Sequence, residues 1–433
     1  MSNSADTDLA MDASLNKALG RAQEWYAKNW SSDLVLSDWW QKLGSSGWGF
    51  PAWPQEYGGQ GLPSAVARQV VSDRMQRGVF GPRTGIATFL AAPTILTHGT
   101  HEQKERFLPG IVSGRDVWCQ LFSEPGAGSD LSSLQTRAVR DGDEWIITGQ
   151  KVWTSGAHFA KYGILIARTD SDVPKHKGLT YFLIEMQQPG IEIRPLREMT
   201  GESAFNEVFM NEARVHDDNR LGDLGQGWAV AMTTLSHERD SNNPGVGGGG
   251  GTLFSNPDVT HTVDHFRSIQ NTEVDAFSFA TSGGITEVLN DLVKEFKCAN
   301  DPVIRQRLMK LHSMRETQKW TAQRAKANAR AGAAPGPETS TLKLQSSLTG
   351  RVVRDLGFDI IGAHGMLLGK DAPAHGLFHK FALFVQATSI AGGSDEVQRN
   401  IIGERALGLP KEPDDSRDKP FRELRVGTQK TKS

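Results

Sequence analysis

The strongest constraint on the fold of this chain is the order in which its hydrophobic patterns change: helical periods, then short β-rich runs, then helical periods again. Between residues 14 and 113, Trp25, Trp30, Leu34, Trp39, Trp40 and Leu43 recur at three-, four- and five-residue spacings before a Gly/Pro-rich break at residues 44–63. Thr100, with a carboxylate at Glu102, marks a helix start, because a threonine hydroxyl can accept a first-turn N–H. After Arg115 the runs 144–148, 162–167, 179–184, 191–194 and 205–210 are rich in β-branched and aromatic residues and are parted by Gly, Pro and Asp turns. Helical periods return at 303–331, 341–361 and 375–393. Strands gathered in one block do not alternate with helices, so a doubly wound sheet is excluded and an α+β multidomain chain is expected. Its expected parts are a disordered arm at 1–13, a helical domain at 14–115, a middle β domain of barrel or sandwich type at 116–222 and a helical bundle at 223–410. A Gly-rich loop at 244–251 interrupts the bundle, and 411–433 reads as a solvated polar tail.

Composition narrows the function classes. A chain of 433 residues with 38% hydrophobic and 23% charged content can bury a large core. The net charge of −2 gives no footprint for nucleic acid or an anionic membrane, so any anionic ligand needs a local basic pocket. Only Cys119 and Cys298 occur, without CxxC spacing, which supports neither a disulfide framework nor a zinc site, and no metal is expected. No run reaches the roughly 18 apolar residues of a membrane span, and the first residues carry no apolar core. The reading is a soluble, untargeted, cytoplasmic protein.

Two phrases carry the chemistry. Gln120-Leu-Phe-Ser-Glu-Pro-Gly-Ala-Gly-Ser-Asp130 and Lys151-Val-Trp-Thr-Ser-Gly156 set small residues, hydroxyls and one Trp in close succession. Glycines admit a bulky ligand to the main chain, Ser123, Ser129 and Ser155 can donate to ring heteroatoms, and Trp153 offers an aromatic face to a flat conjugated cofactor. The glycine run after Pro244 matches GxGxxG trivially, but no strand precedes it, so a dinucleotide fold is rejected.

Together with Trp48-Gly-Phe-Pro-Ala-Trp-Pro-Gln-Glu-Tyr-Gly-Gly59, Gln103-Lys-Glu-Arg-Phe-Leu-Pro109 and Gln398-Arg-Asn-Ile-Ile-Gly-Glu-Arg405, these phrases resemble the acyl-CoA dehydrogenase family in the family's own order. The resemblance implies FAD, a helical N-terminal domain, a middle β domain and a C-terminal four-helix bundle. It also implies an acyl-CoA substrate, an electron-transfer flavoprotein as electron acceptor, and a homotetramer or a heterotetramer with a related subunit. The family's reaction is α,β-desaturation of an acyl thioester: a carboxylate takes the α-proton and the β-hydride goes to the flavin. By resemblance the cofactor would be held by Gln120, Phe122, Ser123, Gly128, Ser129, Trp153, Ser155, Ser394 and Glu396, and the substrate by Ser129, Arg239, Gly392 and Gly393.

The chain departs from the family at the base. Most members carry Glu before a Gly-Thr/Ser pair, where this chain has Gly392 in Gly392-Gly393-Ser394, and Asp395 and Glu396 follow too late to replace it. Glu238, immediately before Arg239, resembles the base position of isovaleryl-CoA and long-chain acyl-CoA dehydrogenases. A glycine at 392 would keep a backbone donor for the thioester oxygen while opening volume for a branched, cyclic or otherwise bulky acyl group. The family's Arg-x-x-Phe-Gly phrase is not recognisable between 251 and 303; Arg305 or Arg307 could stand in, and Asp359, Gly362 and Ala363 weaken the family's Gln-Ile-x-Gly-Gly. Two alternatives stay open: a flavin oxidase or monooxygenase on the same fold, and one subunit of a heteromeric dehydrogenase of steroid side-chain type.

Overall fold

The structure, a computed structural model, describes residues 2–238, 256–272, 285–330, 336–414 and 417–424. Arg239 and the Gly-rich loop 244–251 lie outside the described residues. The chain divides into two compact units, one of residues 1–197, 203–272 and 415–433, the other of 198–202 and 273–414.

The first unit opens with helices α1 (Ser2–Asn29), α2 (Leu36–Ser46), α3 (Ser64–Gln76), α4 (Ala92–His98) and α5 (His101–Val112). Helix α1 takes in nearly all of the arm at 1–13 that the sequence reading leaves disordered. Thr100 caps α5 in a reciprocal box with Gln103, whose amide also donates to Asp218 O and Arg220 O at 2.7 and 2.9 Å. That one side chain starts the helix and ties it to the end of the sheet. Trp39 and Trp40 of α2 are buried and donate their indole N–H groups to Phe80 O and Gly81 O.

The sheet has eight strands: β1 (Trp118–Leu121), β2 (Arg137–Asp141), β3 (Glu144–Ser155), β4 (Tyr162–Arg168), β5 (Leu179–Glu185), β6 (Ile191–Leu196), β7 (Phe205–His216) and β8 (Arg220–Leu221). The order is β6-β7-β3-β2-β4-β5-β8, with β1 parallel to β4. Every residue of β4 is buried because both faces are covered. Ile164 and Ile166 pack with Tyr181 and Leu183 against α4, α5 and α6 (Gly227–Glu238), while Leu165 and Ala167 pack with Phe182 and Ile184 into a second core with Trp145, Val208 and Met210. Helix α7 (Val263–Thr272) closes the unit by placing Val263 and Phe266 among the buried residues of α1 to α3.

The composition of 411–433 predicts a solvated tail, and the structure differs at 417–424. Phe421 is buried beneath the Arg168 guanidinium, 3.3 Å from the ring centroid, and its N–H donates to Val173 O at 2.9 Å. One aromatic residue in a polar run is enough to dock it, since its ring supplies most of the apolar area such a segment can bury.

The second unit is helical: α8 (Ile285–Glu295), α9 (Pro302–Arg330), α10 (Glu338–Ile361), α11 (Leu377–Thr388) and α12 (Asp395–Arg405). Its core comes from four of them, through Leu289 and Leu292, Ile304 and Leu311, Val353 and Leu356, and Phe378 and Val385. Gly357 lets α10 and α11 touch, because a Cβ there would lie 1.8 Å from the Phe378 ring.

Candidate functional site

The two phrases meet in the first unit. After β1 the chain turns at residues 124–127, closed by reciprocal Glu124 and Ala127 backbone hydrogen bonds of 3.0 and 3.1 Å. From β3, Val152 N–H donates to Ser123 O at 2.9 Å, and the fully buried Lys151 ammonium donates to Phe122 O and Glu124 Oε1, each at 2.9 Å. Glu124 also accepts the N–H groups of Gln135 and Thr136 at 2.6 and 2.8 Å. Burial pushes the Glu124 carboxyl up, but Lys151 and these donors outweigh it and hold the group below the ordinary carboxylate value. Burial also presses Lys151 downward, with Glu124 opposing. The carboxylate decides the state of the pair, because its charge is secured by backbone donors as well as by the ammonium.

This lock presents an outer surface. Gly126, Gly128 and Ser129 are exposed, and a Cβ on Gly128 would meet open space. Trp153 sits at φ +60° in a bulge of the β3–β7 pairing, and 60% of it is exposed, its ring edge-on to Phe205 at 5.8 Å. A bulky residue held in the left-handed region costs on the order of 1–3 kcal/mol, so surrounding structure must impose it. Ser123 and Ser155 are half-buried, Gln120 is half-buried on β1, and Phe122 is buried edge-on to Tyr181 at 5.8 Å. Asp130 is occupied by Lys175 at 2.7 Å and by the hydroxyls of Ser132 and Ser133.

Glu238 is the exposed last residue of α6 and has a polar partner of its own. One turn earlier, the buried Thr234 hydroxyl bonds to Tyr181 Oη at 3.0 Å and to Thr94 Oγ1 at 2.9 Å, and Thr233 bonds to His98 Nε2 at 2.8 Å. Burial lowers the His98 pKa, favouring the neutral ring. Strand β5 and helix α4 therefore grip α6 just before Glu238.

The second unit carries the remaining candidates. Gly392 and Gly393 lie at φ +65° and +90°, and the buried Gln398 amide donates to their carbonyls at 2.9 and 3.4 Å. Ser394 caps α12 by accepting Val397 N–H. Asp395 is buried against Ser347, Lys343 and Arg351. Burial pushes its carboxyl up, and these three partners together hold it below the ordinary value. That occupation removes Asp395 as a free base. Glu396 is exposed and paired with Arg399 at 3.1 Å, and Arg307 pairs with Asp359. The structure thus groups Gln120 to Ser155 with Glu238 in one unit and holds Gly392, Gly393, Ser394 and Glu396 in the other.

Sequence reasoning passed over Lys151, Glu124, Tyr181 and Thr234. A lysine inside an otherwise strand-like run, facing a carboxylate that follows the other phrase, is the one signal that could have found the lock.

Among the described residues no group of three His, Cys, Asp or Glu is placed to hold a metal, and no helix is long and apolar enough to cross a membrane. Models of the acyl-CoA dehydrogenase N-terminal, middle and C-terminal domains match residues 10–115, 119–213 and 288–407. The chain is 36% identical over 388 residues to acyl-CoA dehydrogenase IpdE1 of Mycobacterium tuberculosis (strain ATCC 25618 / H37Rv), covering 86% of this chain and 88% of that one. Among solved structures it is similar to the Tcur3481-Tcur3483 steroid ACAD, with TM-score 0.66, 26% identity, and 92% and 98% of the two chains covered. It is also similar to the ChsE4-ChsE5 complex from Mycobacterium tuberculosis, with TM-score 0.67, 25% identity, and 92% and 98% covered.

Proposed function

Because the chain belongs to the acyl-CoA dehydrogenase family of oxidoreductases, we propose that it desaturates the α,β bond of an acyl-CoA whose acyl part is branched, cyclic or bulky, with FAD as cofactor and Glu238 as base. The observation that carries this reading is the surface of Gly126, Gly128, Ser129 and the outward Trp153, locked by Lys151 and Glu124 in the unit that also holds Glu238.

The residues present fit the flavin. Open space at Gly128 admits a ring close to the main chain, Ser129 and Ser155 offer hydroxyl donors, and Trp153 presents an uncovered aromatic face. Gln120, Phe122 and Ser123 complete this set, and Ser394 and Glu396 are proposed cofactor contacts by the family resemblance alone. When bound, FAD supplies the hydride acceptor. Glu238 accepts the substrate's α-proton at a carboxylate oxygen, and the Thr234 to Tyr181 hydrogen bond keeps its helix from shifting during the transfer. Gly392 and Gly393, in a left-handed turn fixed by Gln398, are proposed substrate contacts by the family resemblance, and a glycine at 392 carries no side chain to narrow an acyl pocket. Ser129 and Arg239 are the remaining proposed substrate contacts. The acceptor in this reading is an electron-transfer flavoprotein, and the compartment is the cytoplasm.

A second reading, that the chain is one partner in a two-chain dehydrogenase, draws support from structural neighbours described as two-component assemblies and from the glycine at 392. Flavin content separates the two assemblies: a homotetramer should carry close to one FAD per chain, a mixed assembly about half. Anaerobic bleaching of bound flavin by a panel of acyl-CoAs tests the reaction itself, and a colourless folded protein that cannot be reconstituted with FAD would overturn it.

A further inference from the structure

Along the first half of β7 the buried residues are Asn206, Val208 and Met210, while Phe205, Glu207 and Phe209 between them are half-buried. Val208 and Met210 belong to the second core of the sheet, and period-two alternation asks for a third apolar side chain at 206. An amide stands there instead, fully buried. Its Nδ2 donates to Thr154 O at 3.0 Å, but its Oδ1 and the Oγ1 of the equally buried Thr154 meet no hydrogen-bond partner among the described residues. A buried amide with an unpaired oxygen is a cost to the fold, so stability alone does not account for Asn206.

What the amide holds is local. Lys151 pairs with Val208 and Thr154 with Asn206, so Val152 and Trp153 together face Glu207 alone. Before Trp153 the chain is pinned by Val152 N–H to Ser123 O at 2.9 Å, and after it by the Asn206 amide on Thr154 O. Between these two pins Trp153 sits at φ +60°, which a bulky residue leaves unless its surroundings impose it, with its ring largely exposed and edge-on to Phe205.

We infer that Asn206 is a positioning residue for the flavin site: through Thr154 it fixes the direction in which the Trp153 ring leaves the sheet, and so the face that ring offers to the cofactor. The part that concerns flavin rests on the dehydrogenase reading above, while the hold on Trp153 does not.

The test compares Asn206→Leu with the wild type, in the full chain without and with FAD. Leucine continues the row of Val208 and Met210 and removes the unpaired oxygen, so the variant should melt close to the wild-type temperature. Asn206→Ala, which adds no bulk, takes its place if leucine prevents folding. In FAD-free protein labelled with ¹⁵N at tryptophan, the Trp153 indole signal, assigned by its loss in Trp153→Phe, should shift or split in the variant. The signals of Trp39 and Trp40 on α2, assigned in the same way, should stay in place. In the loaded protein a close indole quenches flavin fluorescence by electron transfer, so the variant should be brighter than the wild type and approach Trp153→Phe. Bleaching by an acyl-CoA should slow by roughly 10- to 100-fold, the scale of a misplacement of about 1 Å. Within the Trp153→Phe background, the change at 206 should add nothing to either flavin readout.

An unmoved Trp153 signal in the folded variant would overturn the assignment. So would flavin effects of equal size in both backgrounds, which would make Asn206 a general support of the fold. Wild-type protein that takes up no FAD, while the Trp153 signal still moves in the variant, would instead remove the flavin reading and leave the hold on Trp153.

Discussion

Lys151 Nζ and Glu124 Oε1 lie 2.9 Å apart with the ammonium fully buried and the carboxylate nearly so, and this pair joins the two phrases on which the flavin reading depends. Removing one partner of a buried pair leaves the other charged without compensation. Lys151→Met should therefore cost about 3–5 kcal/mol, measured by chemical denaturation. The same variant should lose most of its bound flavin, because Phe122 O and the 124–127 turn lose their anchor. Full flavin content with unchanged stability would contradict the role assigned to the pair.

The acid limb of stability follows from groups held below their ordinary values. Glu124 and Asp395 are both depressed in the folded chain, so their contribution is complete above the unfolded carboxylate pKa of about 4 and is lost as pH falls through the lower folded values. Denaturation midpoints measured from pH 6 to pH 3 should fall on the acid side, and Asp395→Asn should flatten part of that slope at the expense of stability at neutral pH.

The grip on α6 has a different pH signature. His98 is depressed by burial, so its contact with Thr233 stabilises the fold above the unfolded histidine value of about 6.5 and fades as pH falls through the folded value. Hydrogen exchange of α6 amides should rise below that pH in the wild type. In His98→Gln, whose amide does not titrate, this rise should disappear. Tyr181→Phe should loosen the same amides at every pH, with a cost of about 1 kcal/mol for a hydrogen bond whose remaining partners can still pair with each other.

The docked tail makes a prediction that a solvated tail does not. Phe421→Ala should destabilise the first unit by about 3 kcal/mol, because the ring is buried under Arg168 and the cavity it leaves cannot fill. Thermal unfolding checks this, and Phe421→Leu should recover part of the loss.

These residues also mark where the sequence is readable. The order of helical and β-rich segments, the Thr100 cap and the short strands can be seen from local periodicity and propensity, because each depends on residues a few positions apart. Lys151 and Glu124 are 27 positions apart and both charged, so pattern alone marks them as solvent-facing; only the β3 to β1 juxtaposition buries them. Phe421 is lost in a polar run for the same reason, and the positive φ of Trp153 belongs to a bulge where residues 152 and 153 of β3 face the single residue 207 of β7, a pairing that local sequence does not reveal. The flavin phrases are legible because their small residues are contiguous.

The proposed base is the centre of the functional account, and one measurement bears on it most directly. Purified Glu238→Gln, with its flavin retained, should be mixed anaerobically with an acyl-CoA that bleaches the wild type, and flavin absorbance followed by stopped flow. The account predicts bleaching slowed by roughly 10²- to 10⁴-fold, the usual effect of removing a general base. Bleaching at the wild-type rate would contradict it.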